Sequence, residues 1–299
     1  MEKILITGAT GLLGSSLVPY LKKNGYEVIT HANTSKANFM FDLSDKTKSF
    51  GFLQQIRPEI IINLVSLTSV ELCENQINLA YSLNTKTVEN LANWMKLAKT
   101  ECHLVHISTD HVYDGVGLNL EDKVTLTNNY AFSKYAGELA AAAVPSTILR
   151  TNFVGHSRVT HRESLTDWVY NSLANKVHIQ VLDDVYFSPL SISNLVEMVK
   201  LAVQKKRFGV YNLGSSSCMS KADFNYAFAE CLKLPTNMMS RIDTSQACFL
   251  KTYRPKNMCM DSTKFEIAFN VKLPKLTDQI QSIANEYNEI AQSNSEYSK

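Results

Sequence analysis

The stretch Lys3–Gly14, KILITGATGLLG, decides the fold of this 299-residue chain. Lys3–Thr7 is a short apolar run typical of a buried strand, and three glycines follow it in a G-x-x-G-x-x-G pattern. Helix-like sequence continues over Leu12–Lys23. Glycine lets the main chain approach a pyrophosphate, and the start of a helix offers free N–H groups to phosphates. A strand, a glycine turn and a helix in this order therefore predict a dinucleotide-binding turn.

Short apolar runs alternate with helix-like segments through the first half of the chain. Predicted strands cover 3–7, 26–30, 59–63, 103–107 and 146–150, and predicted helices cover 12–23, 46–57, 76–98 and 129–143. Several of these strands are apolar on both faces, as expected where helices cover both sides of a parallel sheet. The alternation predicts an α/β Rossmann fold with a doubly wound parallel sheet.

The alternation of strands and helices becomes less regular after about residue 151. Residues 151–175 are polar and irregular, which is typical of a substrate loop. Further strands are predicted at 177–182 and 209–213, and further helices at 191–204, 221–232 and 277–291. We predict an NAD(P)-binding Rossmann domain over 1–150 and a smaller C-terminal α/β substrate-binding lobe over 151–299, the two being partly interleaved.

Composition excludes several classes of function. The net charge is +2 and the basic residues are scattered, so no nucleic-acid footprint is predicted. No apolar stretch reaches the roughly 18 residues of a membrane span, and no secretory leader is recognisable. The six cysteines form no CxxC pair and no metal-ligand cluster. We therefore expect a soluble, cytoplasmic protein without disulfides, metal, membrane or nucleic-acid partners.

The end of the second predicted strand bears on cofactor choice. Dinucleotide-binding turns usually have an acid there, which holds the ribose 2′-OH. This chain instead has His31, Asn33, Ser35 and Lys36, and no carboxylate. These side chains suit a 2′-phosphate, with a solvated loop as the alternative for any one of them. We predict that NADP(H) is preferred and that NAD(H) is a second possible cofactor.

Candidate catalytic residues lie further along the chain than the predicted cofactor-binding residues. Tyr130 and Lys134 form a Y-x-x-x-K pattern, whose spacing places both side chains on one face of a helix. A nearby cation is expected to lower the pKa of a phenol, so that the phenol can exchange a proton with a reacting carbonyl oxygen. Ser108 and Thr109 end the fourth strand and offer a hydroxyl at the edge where doubly wound sheets bind ligands. The pattern predicts carbonyl reduction.

Several motifs together resemble the dTDP-4-dehydrorhamnose reductase family of extended short-chain dehydrogenase/reductases. They are TGATGLLG at 7–14, VELCE at 70–74, STDHVYDG at 108–115, NYAFSK at 129–134, LRT at 149–151 and RPKN at 254–257. The resemblance extends from the first strand to about residue 275. It implies NAD(P)H-dependent reduction of the 4-keto group of a nucleotide-linked deoxyhexose.

The resemblance also implies roles for single residues. The cofactor would be contacted by Gly8, Thr10, Gly11, Leu12, Leu13, Gly14, His31, Asp42, Leu43, Val65, Ser66, Leu67, Tyr130 and Lys134. Asp42 has an alternative role as a helix cap. The catalytic trio would be Thr109, Tyr130 and Lys134, and the substrate would be contacted by Ser108, Thr109, Tyr130 and Phe153. Thr109 is favoured over Ser108 because it keeps the family's distance to the following Val-Tyr pair.

The chain departs from the family pattern beside the expected sugar site. His111 stands where the family has its first aromatic residue, and Asn152-Phe153 stands where it has Ser-Trp. We expect His111 to be a packed histidine rather than a second acid. The loss of an indole N–H at Phe153 predicts a sugar other than the rhamnose precursor, or a relaxed choice between epimers. A simple packing role for Phe153 is the alternative.

Two other functions remain open at this point. Relatives of the family serve as the non-catalytic β subunit of methionine adenosyltransferase, so a regulatory subunit on the same fold is the alternative to a reductase. An epimerase or dehydratase is disfavoured, because Asp110-His111 is not the Asp-Glu pair of a 4,6-dehydratase. The oligomeric state is open, with a homodimer as one possibility.

Overall fold

A seven-stranded parallel sheet forms the centre of the computed structural model, which describes residues 2–34, 36–160 and 162–296. Its strands are β1 (Lys3–Thr7), β2 (Glu27–Ala32), β3 (Phe39–Met40), β4 (Ile60–Asn63), β5 (His103–Thr109), β6 (Ser146–Thr151) and β11 (Gly209–Leu213). Their order across the sheet is β11-β6-β5-β4-β1-β2-β3, and each neighbouring pair is parallel.

Helices cover both faces of this sheet. The α-helices of the described residues are α1 (Gly14–Lys23), α2 (Lys46–Ile56), α3 (Val70–Asn75), α4 (Ile77–Tyr81), α5 (Thr87–Leu97), α6 (Asn129–Ala141), α7 (Leu165–Ala174), α8 (Ile192–Lys205), α9 (Lys221–Cys231), α10 (Thr263–Phe269) and α11 (Leu276–Glu296), of which α7, α9 and α11 pack in a second core. α1 and α8 share an apolar cluster with Ile4 and Ile6, whereas α2 and α5 share one with Leu5. Alternate residues of β1 thus face opposite helical layers, and the predicted doubly wound Rossmann fold is confirmed.

The C-terminal half adds short strands and a second apolar core. The strands are β7 (Phe153–Val154), β8 (Ile179–Leu182), β9 (Tyr186–Phe187), β10 (Leu190–Ser191), β12 (Met219–Ser220), β13 (Met239–Ile242) and β14 (Asn257–Met258). They pair as β10-β7, β12-β9-β14 and β13-β8. Phe187, Phe224 and Phe228 are fully buried in the second core. No helix among the described residues is long and apolar enough to cross a membrane.

Two predicted elements differ in the structure. The single helix expected over 76–98 is built from α4, a π-helical turn at Ser82–Lys86, and α5. The region expected to be irregular contains α7, which begins with a capping box between Ser164 and Asp167. β11 has the predicted bounds and lies in the central sheet beside β6, although it follows residue 151. Ser35, predicted near a 2′-phosphate, lies outside the described residues.

The expectation of a chain without disulfides is wrong. Cys218 and Cys259 are joined by a disulfide, with Cα atoms 5.7 Å apart. Cys218 directly precedes β12 and Cys259 directly follows β14, two strands that both pair with β9. Tertiary pairing brings together cysteines 41 residues apart in sequence, which no local spacing indicates. Cys73 and Cys102 are buried free thiols, as expected.

A buried ion pair connects α6 to the central sheet. Glu138 accepts hydrogen bonds from Nε and Nη2 of Arg150 on β6, and both side chains are almost wholly buried. Ser108 on β5 donates to the same carboxylate at 2.5 Å. Arg150 also donates to the Tyr113 hydroxyl at 2.6 Å. The polar atoms of the pair are thereby paired, which a buried pair requires.

Substituting Glu138 by Ala should destabilise the fold strongly, because Arg150 would be left as a buried charge without its partner. We expect the free energy of unfolding to fall by about 3–5 kcal/mol. Urea denaturation measures this. The control is Lys272→Ala, which removes an ion pair to Glu266 in which the lysine side chain is 89% exposed. That change should cost less than about 1 kcal/mol. Equal losses in the two variants would contradict the assignment.

Candidate active site

A cleft of about 500 Å³ opens at the carboxyl edge of the central sheet. Its walls come from the turn after β1, the ends of β4, β5 and β6, and the first turns of α6. The lining residues are Gly8, Gly11, Leu12, Leu13, Gly14, Leu64, Ser66, Thr68, Ile107, Ser108, Thr109, Asp110, His111, Tyr130, Lys134, Thr151, Asn152, Phe153, Arg162 and Glu163. The glycine turn and the catalytic residues predicted from the sequence thus share one cleft.

The glycine turn is packed so closely that side chains are excluded from it. Gly8 has φ of +68°, and a Cβ there would lie 2.9 Å from the carbonyl carbon of Leu64. A Cβ on Gly14 would collide with the carbonyl oxygen of Ala9. Bare main chain therefore faces the cleft just before α1, the arrangement that lets a pyrophosphate approach a helix N-terminus.

The other residues predicted to contact a cofactor are placed unequally. Ser66 lines the cleft, whereas Val65 packs against the core cluster beneath α2 and α5 and Leu67 packs near Tyr130. Thr10 lies half-buried in the glycine turn. Asp42 is exposed and accepts a hydrogen bond from the Ser44 N–H at 2.8 Å. This hydrogen bond closes a local turn.

Two of these predictions need correction because the side chains point into the core. Leu43 is 2% exposed and belongs to the cluster beneath α2 and α5, and its carbonyl accepts from the Ser49 hydroxyl and from Asn90 Nδ2. His31 is 2% exposed, donates through Nε2 to the Phe41 carbonyl at 2.9 Å, and packs edge-on against the Phe41 ring. Burial lowers the pKa of His31. The ring is therefore a packed core group rather than a phosphate ligand, while Asn33 and Lys36 are exposed beyond the strand.

Asn84 is a buried residue beside the cleft that the sequence does not single out. It lies in the π-helical turn, and its Oδ1 accepts from the Leu67 N–H at 2.7 Å. Its Nδ2 donates to the Ser133 hydroxyl at 2.9 Å and to the Leu67 carbonyl. Asn84 thereby fixes the loop after β4 to α6. A π-helical turn often marks a functional site, but it leaves no pattern in sequence.

The predicted catalytic trio meets at the floor of the cleft. Thr109 ends β5, and Tyr130 lies in the first turn of α6, which Asn128 caps by accepting from the Ala131 N–H at 2.9 Å. Tyr130 is 7% exposed. Lys134 lies one turn further along α6 and donates to the Ile107 carbonyl at 2.7 Å. The helix thus presents both side chains to the end of β5.

The expected lowering of the tyrosine pKa by the lysine is not found. Burial raises the pKa of Tyr130 to about 12, although hydrogen bonds from Thr109 and Ser66 lower it. Burial also lowers the pKa of Lys134 to about 8. Loss of water is the largest cause of the pKa shift in each group. At neutral pH the phenol therefore holds its proton, which is the state that a reduction consumes.

The two candidate hydroxyls differ in their partners. The Ser108 hydroxyl donates to Glu138 at 2.5 Å, inside the buried ion-pair network. The Thr109 Oγ1 accepts from the His111 N–H at 3.1 Å and lies 3.3 Å from Asp110 Oδ1. Thr109 also interacts with Tyr130. The geometry favours Thr109 as the hydroxyl that faces a reacting oxygen, and it gives Ser108 a structural role beside it.

The residues that depart from the family pattern also face the cleft. The His111 ring packs edge-on against the Tyr130 ring, 5.3 Å between centroids, and burial lowers its pKa to about 3. It is therefore neutral and cannot supply a proton near neutrality. Phe153 is half-buried on β7 and packs against the core cluster of α1 and α8. Asn152 donates to the buried Asp110 carboxylate at 2.7 Å.

Comparison with known proteins gives a consistent family. A family model described as the RmlD substrate binding domain matches residues 1–289. The spore coat polysaccharide biosynthesis protein SpsK of Bacillus subtilis is 32% identical, over 85% of this chain and 87% of the relative. A dTDP-4-dehydrorhamnose reductase of Aggregatibacter actinomycetemcomitans is 29% identical, over 91% of this chain and 95% of the relative.

Two further similarities bear on the fold and on the alternative function. A crystal structure of dTDP-4-dehydrorhamnose reductase from Bacillus anthracis in complex with NADP superposes with a TM-score of 0.86 at 23% identity, covering 95% of this chain and 99% of that one. The methionine adenosyltransferase 2 subunit β of Xenopus tropicalis is 27% identical, over 89% of this chain and 82% of the relative. The first similarity shows the fold, and the second is a similarity of sequence to the protein that represents the alternative function.

Replacing Tyr130 by Phe should abolish proton delivery and leave the fold intact, because only one buried hydroxyl is removed. We expect the rate of carbonyl reduction to fall by about 10²–10⁴-fold, the usual contribution of general acid catalysis. Steady-state oxidation of the reduced cofactor measures it, with circular dichroism as the folding control. Thr109→Val should reduce the rate more than Ser108→Ala when rates are corrected for folded fraction. Full activity in Tyr130→Phe would refute the assignment.

Proposed function

We propose that this chain, which belongs to the RmlD substrate binding domain family, is an NADPH-dependent reductase of a nucleotide-linked 4-keto-6-deoxy sugar. The observation that carries the proposal is the meeting of Thr109, Tyr130 and Lys134 in the same cleft as the glycine turn. A reductase with a role in deoxysugar or polysaccharide precursor synthesis agrees with the names of its relatives.

The residues of the cleft fit a dinucleotide cofactor. Gly8 and Gly14 pack against the backbone of Leu64 and Ala9 too closely for any Cβ, so the turn presents bare main chain next to the N-terminus of α1. Asn33 and Lys36 are exposed after β2. The end of this strand has no carboxylate of the kind that binds the ribose 2′-hydroxyl of NAD. We therefore favour NADP(H) over NAD(H). We also propose that Lys134, whose pKa burial lowers to about 8, holds the nicotinamide ribose hydroxyls.

In the proposed reaction the bound cofactor supplies the hydride that reduces the sugar carbonyl. Tyr130 donates its phenolic proton to the carbonyl oxygen as negative charge develops there. Thr109 offers a hydroxyl beside Tyr130, and such aimed donors stabilise the developing charge. Hydrogen bonding from Ser66, which lowers the pKa of Tyr130, favours the phenolate that remains. The neutral His111 ring packs against Tyr130 and holds the phenol in place.

The sugar lies, in this proposal, on the side of the cleft formed by the residues after β6. Asn152, Phe153, Arg162 and Glu163 line that side. Phe153 offers an apolar wall without the hydrogen-bond donor of a tryptophan indole. A wall without a donor discriminates weakly between epimers of a sugar hydroxyl. We therefore propose a substrate that differs from the rhamnose precursor in configuration, or relaxed selection between epimers.

The location and assembly of the protein are part of the proposal. We propose a cytoplasmic enzyme, because nucleotide-linked sugars and reduced NADP are cytoplasmic metabolites. The Cys218–Cys259 disulfide is the feature that opposes this location, since cytosolic disulfides are rare. We also propose a homodimer. Phe132 and Leu139 lie seven residues apart on one face of α6 and are 63% and 58% exposed, which a second copy would cover.

A panel of nucleotide-linked 4-keto-6-deoxy sugars, assayed with NADPH and with NADH, tests the function. We expect turnover of at least one sugar and a higher kcat/KM with NADPH, because the second strand ends without an acid. Phe153→Trp should shift the kcat/KM ratio towards the rhamnose precursor relative to its C3 and C5 epimers. The unmodified protein with saturating cofactor and no sugar is the blank.

The outcomes separate the alternatives. Absence of turnover on every sugar, together with capture of a methionine adenosyltransferase catalytic subunit, would replace the reductase by the regulatory subunit. A clear preference for NADH would refute the cofactor choice alone. A ratio that Phe153→Trp leaves unchanged would remove that side chain from the account of specificity.

A further inference from the structure

Asp110 is a buried carboxylate at the catalytic centre that the mechanism above does not use. It is 1% exposed and directly follows Thr109. Its Oδ2 accepts from Asn152 Nδ2 at 2.7 Å, and its Oδ1 lies 3.3 Å from Thr109 Oγ1. Thr109 and Thr151 are paired across β5 and β6, so Asp110 and Asn152 are neighbours just past the ends of these strands. The sheet register therefore builds this contact.

The hydrogen-bond pattern depends on the proton of Asp110. When the carboxylate is ionised it can only accept, so it draws the Thr109 hydroxyl hydrogen toward itself and away from the cleft. When it is protonated, Asn152 still occupies Oδ2 as a donor, and the acidic hydrogen is confined to Oδ1. Oδ1 then donates to Thr109 Oγ1. Because Oγ1 also accepts from the His111 N–H, the hydroxyl hydrogen of Thr109 is left to point into the cleft.

We propose that Asp110, held by Asn152, is a positioning residue that in its neutral form turns the Thr109 hydroxyl toward the carbonyl oxygen of the substrate. The neutral carboxyl also removes a negative charge from beside the developing oxyanion. Preorganised donors of this kind stabilise the transition state more than the ground state. The inference rests on the proposed reductase function, and it adds a residue pair that the catalytic trio does not contain.

The charges around Asp110 set the pH range in which this happens. Burial raises the pKa of Asp110 to about 6, although the hydrogen bond from Asn152 and the positive charge of Lys221 both lower it. Tyr130 on α6 and Lys221 at the start of α9 face the carboxylate, and Arg254 acts on Lys221 and His111. Tyr130 and His111 titrate far from this range, at about 12 and 3. Asp110 therefore becomes neutral as the pH falls through about 6, and it can then orient the Thr109 hydroxyl.

Reduction should therefore become faster as the pH falls through about 6. We expect kcat to rise by about tenfold, less than the roughly 100-fold or more of a full oxyanion donor, because the Thr109 hydroxyl is reoriented rather than removed. Asp110→Asn carries a permanent N–H donor toward Thr109 and an oxygen toward Asn152. It should show the high rate on both sides of this range, without the rise.

Asn152→Ala provides the test of positioning. Loss of the Asn152 donor removes a group that favours the carboxylate, so the pKa of Asp110 should increase and the rise in kcat should move to higher pH. A merely structural role would lower the rate without moving the pH dependence. Thr68→Ala, which alters an exposed side chain of the same cleft, is the matched control and should leave the midpoint unchanged. In Thr109→Val, a further Asp110→Asn change should raise kcat above a pH of about 6 by less than it does with Thr109 present, because only the loss of the negative charge then contributes.

Infrared spectroscopy tests the inference without an assay of turnover. Difference infrared spectra of the protein with and without Asp110→Asn should contain the carbonyl stretch of a neutral carboxyl group below a pH of about 6 and lose it above. Asn152→Ala should move that midpoint upward. A wild-type spectrum without this titration, or a midpoint that Asn152→Ala leaves in place, would overturn the inference. Failure of every sugar in the turnover assay would instead refute the proposed function, whatever the infrared result.

Discussion

The carboxylate of Glu138 is the point at which the three catalytic elements of the molecule are joined. It belongs to α6, accepts two hydrogen bonds from Nε and Nη2 of Arg150 on β6, and accepts another from Ser108 on β5. α6 carries Tyr130 and Lys134, β5 ends in Thr109, and β6 leads to Asn152 and Phe153. Since the pair is desolvated and its geometry is bidentate, it resists displacement of any one element relative to the others. The separations within the active site depend on this contact.

The parallel register supplies the second constraint. Strands of a parallel sheet end at a common edge, and β5 and β6 are paired as far as Thr109 and Thr151. The next residues, Asp110 and Asn152, leave the sheet together and form a hydrogen bond above it. The glycine turn after β1 opens at the same edge. A cofactor site and a catalytic site therefore come from one topological feature, as doubly wound folds allow.

The parts of this arrangement that depend on local chemistry could be predicted from sequence. The glycine spacing, the Y-x-x-x-K spacing and the hydroxyls after a buried strand are each short-range signals, and they point to Gly8, Tyr130, Lys134 and one of Ser108 and Thr109 without any structure. The parallel sheet was predictable because buried strands and helices alternate regularly.

Features that depend on tertiary contacts could not be predicted in this way. The direction of the His31 ring depends on Phe41, which lies ten residues away, and the disulfide joins Cys218 to Cys259 across two strands. The π-helical turn that carries Asn84 has ordinary helical sequence. The pKa of Tyr130 depends on its burial, which sequence spacing to a lysine does not report.

The central claim is that this cleft reduces a sugar carbonyl with the hydride of NADPH while Tyr130 supplies the proton. NADPH deuterated at C4 of the nicotinamide tests it directly, with the sugar product analysed by NMR and mass spectrometry. The account predicts one deuterium on the former carbonyl carbon of the sugar, and no exchangeable deuterium elsewhere in the product. Oxidation of the cofactor without deuterium in the sugar, or binding of NADPH without any transfer, would contradict it.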